Sequence, residues 1–231
     1  MNDPVLSVQS VSTGYGKKRV VQNVSFDIQK GEVLGLIGLN GVGKTTLIKT
    51  IIGLREKQEG SILVKKEDIS YLPERFDPPW FLTGYNFIRF SLRLYKKDIS
   101  LDEAKKQAQL VSLDPDSLTR RVHTYSKGMR QKLGLLATVL TDSRLLILDE
   151  PMSGLDPKAR QEVKKIISDT KKAGKSVFMS SHILADVSEL CDKIAVFNDR
   201  SIVFYGTADE LRKEGNNDNL EVAFLHVIGA G

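Results

Sequence analysis

The segment from Gly38 to Thr45, GLNGVGKT, constrains this chain more than any other stretch. It places two glycines five positions apart and follows them with a lysine and a hydroxyl residue. Glycines let a backbone turn tightly and approach oxygen atoms closely, and successive backbone N–H groups then form a concave site that favours anions. The pattern therefore predicts a phosphate-binding loop for a nucleoside triphosphate.

The residues around this loop agree with that interpretation. Residues 33–37 form an apolar run typical of a buried strand, and residues 46–52 carry apolar side chains at helical spacing. We expect Lys44 to contact the β- and γ-phosphates and the Thr45 hydroxyl to ligate Mg²⁺. The predicted nucleotide contacts of the loop are Asn40, Gly41, Gly43, Lys44, Thr45 and Thr46.

Composition and charge narrow the class of protein. With 231 residues, 41% hydrophobic and 27% charged, the chain suits one α/β domain with an inserted lobe. The net charge of +5 is spread over short clusters, so no nucleic-acid partner is expected. The single cysteine, Cys191, excludes an internal disulfide, and its apolar neighbours indicate an inert core thiol. We expect neither a signal peptide nor a membrane span.

Two segments of alternating polarity precede the loop, at 5–11 and 20–28, with a predicted turn at 13–16. They predict an antiparallel sheet. Tyr15 lies in the turn, and its flat ring can stack on a nucleotide base. The alternative is a partly buried tyrosine beside a turn.

The region from 76 to about 140 predicts a helical lobe inserted after two short strands, at 62–64 and 69–72. Its first loop carries Trp80 and Phe81 beside two prolines, which favours a docking surface over simple packing. Ser100 begins a predicted capping box that opens a helix to about Ser112.

A further helix, predicted over 129–140, follows Ser126 and Gly128, which sit where N-cap chemistry belongs. A second helix N-terminus can therefore face an anion, although many helices begin in this way.

Two carboxylates, Asp149 and Glu150, follow the apolar run 145–148. Such a run is typical of a buried parallel strand, and ligands of open α/β sheets lie at the carboxyl ends of strands. We expect Asp149 to help hold Mg²⁺ and Glu150 to orient or deprotonate an attacking water. A helix cap is a poor alternative, because the next predicted helix begins only at Pro157.

The last third of the chain continues the alternation of strand and helix. Asp156 is a predicted N-cap for a helix that runs to Lys172. The strand at 177–179 ends at Ser180-Ser181-His182, again on the carboxyl edge. A lone histidine is more often structural, but this placement makes a functional role equally reasonable for His182.

In their order along the chain, these motifs resemble the ATP-binding subunit of an ATP-binding-cassette (ABC) transporter. The resemblance extends from Tyr15 to Gly206 and rests on the following set: Tyr15, the phosphate loop, Pro73-Glu74, Ser126-x-Gly128, Asp149-Glu150, Ser153 to Asp156, and His182. It implies an α/β fold with a mainly parallel P-loop NTPase core, an N-terminal antiparallel β subdomain and an inserted α-helical subdomain. Residues 1–231 would form one nucleotide-binding domain, with the helical insertion at 76–140 and a short tail at 207–231.

The same resemblance implies ATP and Mg²⁺ as cofactors and two such domains packed head to tail, as a homo- or heterodimer. Ser126 and Gly128 would touch the γ-phosphate held by the other domain, and Asp156 would help couple the two sites. Tyr15 would stack on adenine, and His182 would contact the γ-phosphate and the attacking water. The metal ligands would be Thr45, Asp149 and Glu74.

Two positions depart from the usual family pattern. Glu74 stands where glutamine is common, and Lys127 replaces a glycine of the signature. Both departures resemble the ABC-2 type exporter subgroup, which implies a separate membrane-spanning permease and a peripheral location on the cytoplasmic face of the membrane. The alternatives are an ATPase serving a cytosolic machine, such as iron–sulfur cluster assembly, and a non-hydrolysing nucleotide sensor. Glu150 and His182 argue against the sensor.

Overall fold

Two β-sheets organise residues 3–230, the part of the chain that this computed structural model describes. The smaller sheet has the order β2-β1-β4, and both of its strand pairs are antiparallel. The larger has the order β5-β6-β7-β3-β8-β9, and only its last pair is antiparallel. The strands are β1 (Leu6–Tyr15), β2 (Lys18–Ile28), β3 (Val33–Ile37), β4 (Glu59–Leu63), β5 (Ile69–Leu72), β6 (Leu145–Asp149), β7 (Ser176–Ser181), β8 (Lys193–Asn198) and β9 (Ser201–Gly206).

The smaller sheet confirms the predicted antiparallel arrangement but corrects its bounds. The turn predicted at 13–16 is wrong over Thr13–Tyr15, because these residues continue β1 and pair with β2. Only Gly16 and Lys17 separate the strands, and Gly16 adopts the positive φ of 57° that so short a connection favours. The strand predicted at 62–64 instead runs from Glu59 to Leu63, and it joins this sheet by pairing with β1.

The larger sheet positions the phosphate loop. Strand β3 is wholly buried and lies between β7 and β8, parallel to both. The loop then leads into helix α1 (Lys44–Ile51). Because β3, β6 and β7 run in the same direction, their carboxyl ends meet at one edge of the sheet, where the loop, the two acids and His182 follow.

Three helices lie between β5 and β6, namely α2 (Gly84–Leu94), α3 (Leu101–Ala108) and α4 (Lys127–Leu140). Their buried side chains, among them Ile88 and Leu133, belong to one hydrophobic core cluster. The helix predicted to reach Ser112 ends at Ala108, and a short 3₁₀ turn follows. The predicted capping box is only half formed. Ser100 Oγ accepts from the Glu103 N–H, while the Glu103 carboxylate accepts from Gln107.

The C-terminal third contributes α5 (Pro157–Lys172), α6 (Leu184–Leu190), α7 (Ala208–Glu214) and α8 (Leu220–Val227). The predicted tail packs closely, since Leu211 and Phe224 share a core cluster with Val196 of β8. Among residues 3–230, no helix combines the length and apolar composition needed to cross a membrane. The architecture confirms the predicted fold class, whereas the domain bounds within 1–231 stay a prediction.

Candidate functional site

The phosphate loop holds the ammonium group of Lys44 in a buried position. Its Nζ donates to the backbone carbonyls of Gly38, at 2.8 Å, and Leu39, at 3.3 Å. Gly43 precedes α1 with a φ of 124°, and a Cβ there would lie 2.8 Å from Val20 Cγ1. Only glycine therefore suits this position, which lets the backbone enter the helix directly behind the loop.

Glu150 is the central side chain of the site. Its Oε1 lies 3.4 Å from Lys44 Nζ, and its Oε2 lies 2.8 Å from His182 Nδ1. The residue is 7% exposed and has a φ of 49°, a left-handed conformation that is uncommon outside glycine. Strained backbone of this kind concentrates at functional sites. Lys44 and His182, which are far apart in the sequence, thus meet on one carboxylate.

Asp149 is fully buried beside Glu150. Its Oδ1 accepts from Ser180 Oγ at 2.5 Å. Within residues 3–230, its Oδ2 has no hydrogen-bond partner. A buried carboxylate oxygen without a protein donor is suited to a cation or an ordered water.

A cavity of about 250 Å³ gathers most of the predicted site in one place. Its lining consists of Asn40, Gly41, Gly43, Lys44, Thr45, Thr46, Glu74, Glu150, Ser153 and His182. The sequence interpretation did not assign a contact to Ser153, although it belongs to the 153–156 loop. Five predicted site residues are not part of this lining, namely Tyr15, Ser126, Gly128, Asp149 and Asp156.

The side chains around the cavity fit Mg²⁺, which prefers oxygen ligands. Thr45 and Glu74 line the cavity, and Asp149, which directly precedes the lining residue Glu150, carries the unpartnered Oδ2. The pKa of Tyr71 is raised above its usual value, first by burial and then by the negative charges of Asp149 and Glu74. Both carboxylates therefore lie within electrostatic reach of the Tyr71 phenol.

Tyr15 is 57% exposed at the end of β1. The guanidinium of Arg55 lies 3.7 Å from the centroid of its ring, and Arg55 also donates to the Gly14 carbonyl at 2.8 Å. One face of the ring is therefore covered. The sequence interpretation missed Arg55, because nothing in the local pattern links two residues 40 positions apart.

Ser126 and Asp156 both cap helices. Ser126 Oγ accepts from the Met129 N–H at 3.2 Å, and Asp156 Oδ1 accepts from the Ala159 N–H at 2.9 Å. Both residues are exposed, and the first turn of α4 contains no acidic residue. This helix end keeps its partial positive charge without a carboxylate of its own.

The comparisons with known proteins agree with this geometry. The sequence model of the family described as "ABC transporter" matches residues 21–153. This chain belongs to the ABC transporter family. It is 33% identical to the lantibiotic transport ATP-binding protein SrtF of Streptococcus pyogenes, and the match covers 97% of each chain.

Other members of the ABC transporter family extend the comparison. An uncharacterized ABC transporter ATP-binding protein of Nostoc sp., all4389, is 34% identical over 87% of this chain, which spans only 64% of that relative's length. A solved structure titled "Structure of ATP binding subunit of ABC transporter" superposes with a TM-score of 0.85 at 30% identity, covering 96% of this chain and 99% of that one. The cassette fold therefore extends over almost the whole described chain.

Proposed function

We propose that this chain binds and hydrolyses ATP, with Mg²⁺, to power export through a separate membrane-spanning permease. The observation that carries the proposal is the position of Glu150, whose carboxylate lies between Lys44 and His182 at the phosphate loop. A carboxylate at this place can accept the proton of an attacking water. A protein that only senses the nucleotide has no need of such a base.

The roles of the side chains follow from their contacts. Lys44, which now donates to the Gly38 and Leu39 carbonyls, exchanges these acceptors for phosphate oxygens when ATP binds. His182 holds Glu150 Oε2 and so leaves Oε1 to receive the proton. Thr45, Glu74 and Asp149 would hold Mg²⁺, which neutralises charge on the phosphates.

A second copy of the domain completes each site in this proposal. Ser126 and Gly128 lie outside the phosphate-loop cavity, at a helix end that carries Lys127 and no acid in its first turn. A helix N-terminus of this kind favours a phosphate. Two copies packed head to tail would bring it to the γ-phosphate of the other subunit, in two equivalent sites. Asp156 would lie between these sites and couple them.

The membrane partner is proposed from an exposed aromatic pair. Trp80 and Phe81 are 67% and 57% exposed, and their rings meet edge to face at 5.7 Å. Large apolar side chains exposed together mark interaction surfaces. Export is supported by the two sequence departures, at Glu74 and Lys127, and by relatives named for lantibiotic transport and linearmycin resistance. The chain would then lie on the cytoplasmic face of the membrane.

The decisive experiment is a mild-detergent pull-down of this protein from its native membranes. We expect one main partner with several apolar stretches of about 20 residues. The double variant Trp80→Ala/Phe81→Ala should lose this partner, whereas Leu63→Ala, which alters an equally exposed apolar residue on β4, should retain it. A partner without such stretches, and no protein in the membrane fraction, would instead favour a cytosolic machine.

A further inference from the structure

We propose that Ser180 is a positioning residue that sets both carboxylates of the site through its single hydroxyl group. This inference rests on the proposed ATPase function. Ser180 lies near the end of β7 (Ser176–Ser181) and is fully buried. The sequence analysis assigns it no part in ATP hydrolysis, yet its hydroxyl contacts both Asp149 and Glu150.

The Ser180 hydroxyl makes two hydrogen bonds of opposite sense. Its Oγ donates to Asp149 Oδ1 at 2.5 Å and accepts from the Glu150 N–H at 2.9 Å. A serine hydroxyl has one hydrogen and two lone pairs, so it can make both bonds at the same time. The parallel register of β6 and β7 sets Asp149 directly beside Ser180. The contact therefore follows from the sheet.

The first bond determines which oxygen of Asp149 stays free. Asp149 Oδ1 accepts a short, charge-assisted hydrogen bond of 2.5 Å from the Ser180 hydroxyl. Oδ2 is buried and has no hydrogen-bond partner among residues 3–230. Without Ser180 the carboxylate could rotate, since β6 fixes only its backbone. Ser180 thus presents Oδ2 as the oxygen for a divalent cation.

The second bond holds the backbone of Glu150. This residue has a φ of 49°, a backbone conformation that is strained for residues other than glycine. The Ser180 hydroxyl accepts its N–H and so stabilises this conformation. The same conformation aims the Glu150 side chain at Lys44 and His182. The Ser180 hydroxyl therefore links Asp149, the proposed cation ligand, to Glu150, the proposed general base.

The neighbouring serine offers a matched control. Ser181 is also buried at the end of β7, but its Oγ accepts from the Ile183 N–H at 3.0 Å. Ser181→Ala removes the same atom from the same strand without releasing either carboxylate. Ser180→Thr retains the hydroxyl group, and Ser180→Cys keeps a similar volume with only a weak donor.

The experiment measures ADP binding by titration calorimetry, with and without Mg²⁺, together with kcat for ATP. For Ser180→Ala we expect the Mg²⁺-dependent gain in ADP affinity to fall by about 10- to 100-fold, and kcat to fall by a similar factor. Metal-free ADP affinity should stay within about twofold, because the phosphate loop is unchanged. Ser181→Ala should match the unsubstituted protein, and Ser180→Thr should recover most of the lost Mg²⁺ effect.

The outcomes separate the alternatives. An equal loss of ADP affinity with and without Mg²⁺ would show a merely structural role and overturn the proposal, as would unchanged behaviour of Ser180→Ala. If thermal unfolding shows that Ser180→Ala is not folded, Ser180→Cys takes its place under the same criteria. If the unsubstituted protein hydrolyses no ATP but Ser180→Ala loses the Mg²⁺ effect on ADP binding, the proposed function fails while the role of Ser180 stands.

Discussion

The ammonium nitrogen of Lys44 lies 3.4 Å from the Oε1 atom of Glu150, and both side chains are buried. The lysine of the phosphate loop and the proposed base therefore form an ion pair. In the proposed function, a phosphate group that attracts Lys44 would compete with this ion pair and leave the Glu150 carboxylate free. ATP binding and release of the proposed base would then be linked through one contact.

The substitution Glu150→Gln tests the proposed base. An amide keeps the shape of the side chain but cannot accept the proton of water, so we expect ATP hydrolysis to fall by about 10²- to 10⁴-fold. ATP affinity should be kept or increased, because Lys44 loses its competing carboxylate. Phosphate release and equilibrium nucleotide binding measure the two effects. Glu189→Gln, on the exposed surface, is the control, and unchanged turnover of Glu150→Gln would remove Glu150 from this role.

Substitutions of Tyr15 test how the protein recognises the adenine ring of ATP. Arg55 covers one face of the ring, so adenine would use the other face. Since stacking of a base on an aromatic ring contributes about 1–3 kcal/mol, Tyr15→Ala should weaken ATP binding roughly 5- to 150-fold, and Tyr15→Phe should change it little. Competition binding with inorganic tripolyphosphate, which has no base, supplies the control. An equal loss of tripolyphosphate affinity in Tyr15→Ala would exclude stacking.

Cys191 predicts a dependence of stability on pH. Its Sγ packs against Gly35, where an added Cβ would lie 2.8 Å from the sulfur. The residue keeps some exposure. Burial of the thiol raises its pKa, and the negative charge of Asp192 raises it further. The unfolded thiol ionises near pH 8.5, whereas the folded one keeps its proton to higher pH. Above that pH the unfolded state binds fewer protons, so this contribution to the free energy of unfolding is lost as pH rises.

Urea unfolding of the unsubstituted protein and of Cys191→Ala, at pH 7 and pH 10, measures this contribution. The substitution removes a buried sulfur at both pH values, so the unsubstituted protein should be the more stable at pH 7. We expect the difference between the two proteins to shrink at pH 10, because only one of them has a thiol to ionise. An identical difference at both values would contradict the raised pKa.

The sequence predicts those parts of the site that depend on local pattern. The phosphate loop, Asp149, Glu150 and His182 each stand in a recognisable run of residues, and the parallel sheet brings them to one edge. Contacts set by register between distant segments could not be predicted in this way. The bond between Ser180 and Asp149 depends on the pairing of β6 with β7, 31 residues apart.

The N-terminal sheet shows the same limit. Alternating polarity predicts its first two strands, but the third comes from Glu59–Leu63, beyond the phosphate loop. Arg55, which covers one face of Tyr15, lies in the segment that connects α1 to this third strand. Periodicity reports which face of a segment is buried, not which other segment buries it.

The central claim, that a second copy completes each site, can be tested by mixing two inactive variants. Lys44→Ala damages the phosphate loop. Ser126→Asp retains the ability to cap α4, but it would place a carboxylate against the γ-phosphate that the other copy holds. Each variant alone should hydrolyse little ATP, because both of its sites contain the damaged part.

A head-to-tail mixed dimer of these two variants has one site with both parts intact. With random pairing, half of the dimers are mixed and each has one working site of two, so we expect about a quarter of the unsubstituted ATPase activity. The measurement is steady-state phosphate release from an equimolar mixture, compared with each variant alone at the same total concentration. A clear gain on mixing is the predicted result, and an activity no greater than the mean of the two separate variants would contradict the account.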